Sequence, residues 1–267
     1  MRIRDDLGDE LVFEEHPRRI VSLVPSVSET IIDLGAGDRL VGITKYCVHP
    51  TTVVESIDKV GGTKGFSFEK IDAVEPDLIL ANKEENRKHH IDQLREKYPV
   101  FVTYPRTVED AVKMILDLGN LTGKSSRASE VASACEHLID SMDPSVAGPP
   151  IPTACMIWRD PWMVAGHDTY VNELLARVGF ANVFAPEDGR YPETTLESIR
   201  EHHPRVVILP DEPYEFGPKD KSEVDEFFEG DGIETLLADG SLLTWFGSRT
   251  LQGLAFLYNT KIKLMRT

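Results

Sequence analysis

Laid against itself, the chain gives one ungapped internal match. Placing Glu69 on Glu197 brings Ile71 onto Ile199, Pro76 onto Pro204, and Leu78-Ile79-Leu80 onto Val206-Val207-Ile208. Each copy reads as a short helix followed by a buried strand, so two lobes of similar construction are the economical reading. The first lobe opens on a clear strand-to-helix unit. Ile20, Val21, Leu23 and Val24 form the apolar run of a strand covered on both faces, and Pro25 closes it. Ser26 and Glu29 stand three apart in a capping-box spacing, which predicts a helix from there to Gly35. Its positive end then faces the strand's carboxyl edge, where open α/β sheets bind ligands.

The same alternation continues. Strands are expected at Leu40–Thr44, Pro76–Ala81 and Val100–Thr103, and a helix after Ser67 carries Glu69, Ile71 and Val74. From Thr107 to Met142 apolar residues recur at helical spacing, predicting one long helix, bent near Gly123 and ending at Asp143-Pro144. Beyond it come a strand at Thr153–Trp158, a helix from Tyr170 to Val178 capped by Asp168 or Thr169, and a strand at Leu242–Phe246. A closing helix, Arg249 to Leu264, is expected to turn Leu251, Leu254, Ala255, Tyr258 and Ile262 inward. The fold class is thus α/β, two Rossmann-like lobes with mostly parallel sheets joined by one long backbone helix. The divisions are residues 1–106, 107–143 and 144–267.

Composition narrows the function. With 29 Lys plus Arg against 45 Asp plus Glu, the formal charge of −16 disfavours nucleic acid and gives no support for an anionic membrane surface. Three cysteines without C-x-x-C spacing indicate neither a disulfide framework nor a zinc knuckle, and read as buried thiols. Gly35-x-Gly37 ends a helix where a dinucleotide fingerprint would begin one, and Gly61–Gly65 lacks phosphate-loop spacing. There is no G-x-S-x-G and no H-E-x-x-H, so no catalytic residue is assigned.

Aromatic and cationic residues gather in loops beyond strand ends: Tyr46, His49, Lys64, Phe66, Arg159, Trp162, Tyr191, Trp245 and Arg249. Such a set suits a large, flat, partly anionic ligand, since rings supply area and cations fix orientation. A plainer alternative makes Trp158 and about half of the set ordinary core or interlobe packing. Glu69 and Glu197 each lie two residues after a hydroxyl, Ser67 or Thr195, in the first turn of equivalent helices. Compensation of the helix dipole accounts for either one singly. Their matched placement points to a pair of docking knobs for a basic partner.

The motifs Asp5-Asp-Leu-Gly8, Arg19–Ser26, Ser28-Glu-Thr30, Val41–Tyr46, Glu69-Lys-Ile71, Glu75–Ile79 and Leu118–Gly123 resemble the helical-backbone substrate-binding proteins of ABC importers for cobalamin, ferric siderophores and haem. The resemblance spans nearly the whole chain. It implies a chelatase-like, periplasmic-binding-protein fold, two lobes on one long helix, a shallow interlobe cleft with modest closure, no intrinsic cofactor, and a corrinoid, ferric siderophore or haem as ligand. By position, Tyr46 matches an aromatic residue that touches the corrin in the cobalamin branch, and Trp245-Phe246 resembles that branch's second-lobe pair. Thr63 departs from it, standing where that branch has tryptophan. Glu69 and Glu197 match the glutamates that pair with arginines of the transporter's membrane subunits. A monomer is the simplest fit to a receptor presenting both lobes.

The family implies a periplasmic or extracellular location, whereas Met1–Glu10 has no apolar leader core, which reads as cytoplasmic if Met1 is the native start. The alternative is therefore a cytosolic tetrapyrrole- or metal-handling enzyme, chaperone or ligand sensor on the same scaffold, with His49 or His167 as a metal contact.

Overall fold

The computed structural model describes residues 1–142 and 148–266; the expected helix end at Asp143-Pro144 lies outside them. The chain divides into two units. The first comprises Met1–Pro105, Glu109–Ala134 and Phe246–Ser248, and the second Arg106–Val108, Cys135–Trp245 and Arg249–Thr267.

In the first unit, β1 (Arg2–Arg4) and β2 (Glu10–Val12) form an antiparallel pair. Then follow β3 (Ile20–Ser22), α1 (Pro25–Asp33), β4 (Leu40–Thr44), α2 (Thr51–Val54), β5 (Asp58–Gly61), α3 (Phe68–Ala73), β6 (Leu78–Asn82), α4 (Lys88–Arg95) and β7 (Val100–Thr103). The five strands from β3 onward make one wholly parallel sheet in the order β5-β4-β3-β6-β7. Winding outward from β3 in both directions creates a topological switch point between β3 and β6, the place where such sheets leave a crevice at their carboxyl ends. The core beneath it joins Val21, Leu23, Val60, Ile71, Ile79, Val100 and Val102.

The capping box expected at Ser26 and Glu29 does not form. Helix α1 starts two residues earlier, its cap at Val24 and not Ser26 and its first residue Pro25, whose missing N–H costs nothing in a first turn; Val24 provides no side-chain bond. The hydroxyls turn back on the chain instead, Ser28 Oγ donating to the Val24 carbonyl at 2.9 Å and Thr30 Oγ1 to the Ser26 carbonyl at 2.7 Å.

The expected single rod is two helices, α5 (Val108–Leu121) and α6 (Ser125–Ser141), and the unit boundary falls inside α6. Gly123, at φ +67°, stops α5. The Lys124 N–H reaches back to the Gly119 carbonyl at 2.7 Å and the Gly123 N–H to Asn120 at 3.3 Å, the paired bonds of a Schellman motif. Just before the stop, a Cβ on Gly119 would lie 2.2 Å from that of Ala128, so the two helices approach at a contact only glycine allows.

The second unit contains β8 (Ile151–Trp158), β9 (Trp162–Val164), α7 (Tyr170–Arg177), β10 (Phe180–Asn182), β11 (Glu193–Thr194), α8 (Leu196–Glu201), β12 (Val206–Pro210), α9 (Pro218–Phe227), β13 (Glu234–Ala238), α10 (Ser241–Thr244) and α11 (Thr250–Leu264). Strands β10, β8, β12 and β13 run parallel, while β9 and β11 extend the sheet antiparallel past the carboxyl half of β8.

The internal match holds in three dimensions. Ser67 caps α3 by accepting from the Lys70 N–H, and Thr195 caps α8 by accepting from the Ser198 N–H. Each helix is followed by a residue of positive φ, Glu75 at 42° and His203 at 49°, and then by β6 or β12.

Two further expectations are corrected. Leu242–Phe246 is not a strand: Asp239 receives the Ser241 N–H at 3.0 Å and starts helix α10, which runs from Ser241 to Thr244. Helix α11 is rotated from the expected face, burying Thr250, Gly253, Leu254, Leu257, Lys261 and Leu264, with Leu251, Ala255, Tyr258 and Ile262 only half-buried. A Cβ on Gly253 would meet the Leu242 carbonyl at 2.2 Å, so α11 lies directly against α10.

Candidate functional site

In the first unit the carboxyl ends of β4 and β5 carry two neighbouring loops. Residues 62–65 form a short hairpin: the Gly62 N–H donates to the Gly65 carbonyl at 2.9 Å and the Ser67 N–H to Val60 at 2.8 Å, with Gly61 and Phe66 facing as a bridge. Gly61 is required there, because at φ +130° a Cβ would sit 2.6 Å from the Phe66 Cα. The loop after β4 lies against this hairpin, the Lys45 N–H donating to the Gly61 carbonyl at 2.7 Å. Lys45, Tyr46, Gly62, Thr63, Lys64 and Gly65 enclose an open depression of about 440 Å³.

Asn86 joins this depression to the switch point. Its side chain, 5% exposed, donates to the Thr63 carbonyl at 2.8 Å and the Leu23 carbonyl at 3.3 Å and accepts from the Asn82 N–H at 2.8 Å.

Of the four expected residues in this unit, Tyr46 and Lys64 come together at the depression, and Tyr46 is 52% exposed. His49 is exposed on the same loop, outside the depression's lining. Phe66 is a correction: the hairpin turns its ring into the core, 5.5 Å from Phe68 and 5.4 Å from His90, where it supports the loop from below. Burial, then the charges of His89 and Arg87, hold the His90 imidazole below its ordinary pKa, which favours the neutral ring there.

In the second unit the residues fall into two groups linked by loop 211–217. Arg159 lies over the Trp162 ring at 4.9 Å, and Trp162 stacks parallel to Phe216 at 6.1 Å. Phe216 contacts Tyr214, and Tyr214 meets Trp158 edge-on at 5.6 Å. Trp158 is 42% exposed, so it is the open end of an aromatic ledge and not core packing. Arg159 is already paired, with Asp220 at 2.5 Å and Glu223 at 2.7 Å. Burial opposes the Asp220 charge, but the Gly217 N–H and Arg159 outweigh it and hold the carboxyl below its usual range.

The other group is Trp245, whose Nε1 donates to Glu212 Oε2 at 2.7 Å, with the Arg249 guanidinium over its ring at 5.0 Å and bonded to Ser241 Oγ. Tyr191 is 39% exposed, with Arg190 5.8 Å from its ring. Sequence reasoning passed over Glu212, Tyr214 and Asn86. The alternation Tyr214-x-Phe216 inside the proline-rich loop was the available signal for the ledge; nothing local marked Asn86.

Glu69 and Glu197 are exposed in the first turns of α3 and α8, and neither has a hydrogen bond or ion pair among the described residues. His167 Nδ1 lies 2.9 Å from the Glu187 carbonyl. Among the described residues no three His, Cys, Asp or Glu side chains gather as a metal site, and no helix is long and apolar enough to cross a membrane.

Comparison with known proteins adds an independent line. The family model described as periplasmic binding protein matches residues 20–233. A vitamin B12-binding protein of Yersinia pestis (strain Pestoides F) is 25% identical over 193 residues, covering 72% of this chain and 69% of its own length. A periplasmic heme-binding protein from Pseudomonas aeruginosa superposes with a TM-score of 0.80 at 22% identity, covering 92% of this chain and 93% of its own. The periplasmic vitamin B12-binding protein of Vibrio cholerae does so at 0.78 and 20% identity, covering 94% and 98%. The two solved structures share the fold of this chain, α/β units with mostly parallel sheets linked by long helices. The chain belongs to the periplasmic binding protein family.

Proposed function

We propose that this protein captures a metal chelate, either a corrinoid, a ferric siderophore or haem, and hands it to the membrane subunits of an ABC importer. The family match over residues 20–233 carries the reading, and relatives named for vitamin B12 and heme supply the ligand class. The loops support it chemically. Tyr46 in one unit and Trp158, backed by Tyr214, in the other are half-exposed rings at strand ends, which suits a broad, largely apolar guest. Glu69 and Glu197 are the docking residues in this reading, each an uncommitted carboxylate on equivalent capped helices and so available to arginines of a partner. In this reading the protein works as a monomer outside the cytoplasm, the location its family match suggests, and performs no bond chemistry.

The test is titration of the purified protein with cyanocobalamin, hemin, a ferric tris(hydroxamate) and a ferric tris(catecholate), read by absorbance and thermal shift. A saturable one-to-one complex with one of them is expected. Flat responses across all four defeat the proposal.

A further inference from the structure

We infer that the depression at Lys45, Tyr46 and residues 62–65 is a receptor for an oxyanion, a carboxylate, phosphate or catecholate oxygen on the edge of the captured chelate. This rests on the reading of the protein as a chelate carrier and narrows it to ligands that carry negative charge.

The lysines of this edge divide into two kinds. Lys59 Nζ donates to the Val54 carbonyl at 2.8 Å and the Cys47 carbonyl at 3.3 Å, and Lys70 Nζ to the Lys59 carbonyl at 3.3 Å, so both serve the fold. The ammonium groups of Lys45 and Lys64 make no hydrogen bond or ion pair among the described residues, although Lys45 lies 5.0 Å from the Tyr46 ring centre. No carboxylate lines the depression. In a chain of net charge −16, the depression is lined by two lysines and no carboxylate, a local excess of positive charge that favours an anion there.

The backbone adds to them. In the hairpin, Gly62 uses its N–H within the turn, while the N–H groups of Thr63, Lys64 and Gly65 have no partner among the described residues. Consecutive free N–H groups in a tight turn make an anion-binding concavity. Gly62 keeps the floor bare, since a Cβ there would lie 3.3 Å from the Tyr46 ring. Asn86 is a positioning residue: by holding the Thr63 carbonyl from behind, it fixes the hairpin at the switch point without reaching into the depression. Thr63, a small side chain on the lining, leaves these donors open to a ligand's edge.

The deciding experiment compares a triply anionic ferric tris(catecholate) and hemin with a neutral ferric tris(hydroxamate), on the native protein and on a Lys45→Gln, Lys64→Gln double variant. Thermal melts confirm that the exposed substitutions leave the fold intact. At least one anionic probe is expected to bind more tightly than the neutral one, to lose at least tenfold in affinity in the double variant, and to weaken as sodium chloride rises. Tight binding of the neutral chelate, unchanged by the double substitution and by salt, overturns the oxyanion receptor and leaves the carrier standing. Failure of all three probes to bind overturns the oxyanion receptor, and the carrier reading falls with it only if cyanocobalamin also fails to bind.

Discussion

Trp245 Nε1 donates to Glu212 Oε2 across 2.7 Å, joining the residue after α10 to the loop after β12. Burial pushes the Glu212 carboxyl above its ordinary pKa, the indole bond opposes that, Asp211 and Asp239 raise it further, and Arg249 lowers it. With the folded pKa above the unfolded one, the folded state holds the proton more tightly. The contribution to stability is therefore present at low pH and is lost as pH climbs from the unfolded value through the folded one. Glu212→Gln keeps an acceptor for the indole and removes the charge. Its melting temperature, measured from pH 4 to pH 7, should rise relative to the native protein as pH increases. Parallel curves would refute this account.

Tyr46 and Phe66 look alike in sequence, each an aromatic residue in a loop after a strand, but their substitutions should separate cleanly. Tyr46 is half-exposed, so Tyr46→Ala should leave the melting temperature nearly unchanged and weaken chelate binding by about tenfold, of the order of one aromatic stacking contact. Phe66 is 8% exposed within the core, so Phe66→Ala should cost about 3–5 kcal/mol in a urea titration. Equal effects of the two on stability would contradict the orientation of the hairpin.

That contrast shows what was legible in the chain. Continuous apolar runs revealed β3, β4, β6, β7 and β8, because parallel strands covered on both faces leave no polar alternation to misread. The ungapped match held because α3 and α8, β6 and β12 share caps, turn and strand. Leu242–Phe246 was ambiguous, since four or five apolar residues fit a strand or a helical turn equally, and the deciding bond came from Asp239, outside the run. The rod reads as continuous in sequence because apolar spacing resumes after Gly123, while the Schellman bonds that break it are backbone geometry. At the site, Arg159 looked like a free cation until the fold brought Asp220 and Glu223 beside it from some sixty residues along the chain.

Gly123 tests the divided helix directly. At φ +67° an alanine Cβ would be strained and would also stand 3.0 Å from the His16 ring. Gly123→Ala should therefore lower stability by about 1–2 kcal/mol, the penalty for a left-handed non-glycine residue. A neutral or stabilising effect in chemical denaturation would mean that α5 and α6 are one continuous helix.

In the proposed function Glu69 and Glu197 serve delivery and take no part in capture. Each is exposed and unpaired, so Gln at either site should cost at most the favourable placement at a helix start, about 0.3–1 kcal/mol. Chelate affinity in solution should stay as it was, because neither residue lies in the depression or on the aromatic ledge. Uptake through the cognate importer should fall in each single variant, fall further in the double, and fall furthest when both become lysine, which converts attraction for basic sockets into repulsion. The measurement is ligand accumulation in vesicles carrying the importer, at saturating ligand so that capture is not limiting. Undiminished accumulation with the double lysine variant would remove both glutamates from the docking face.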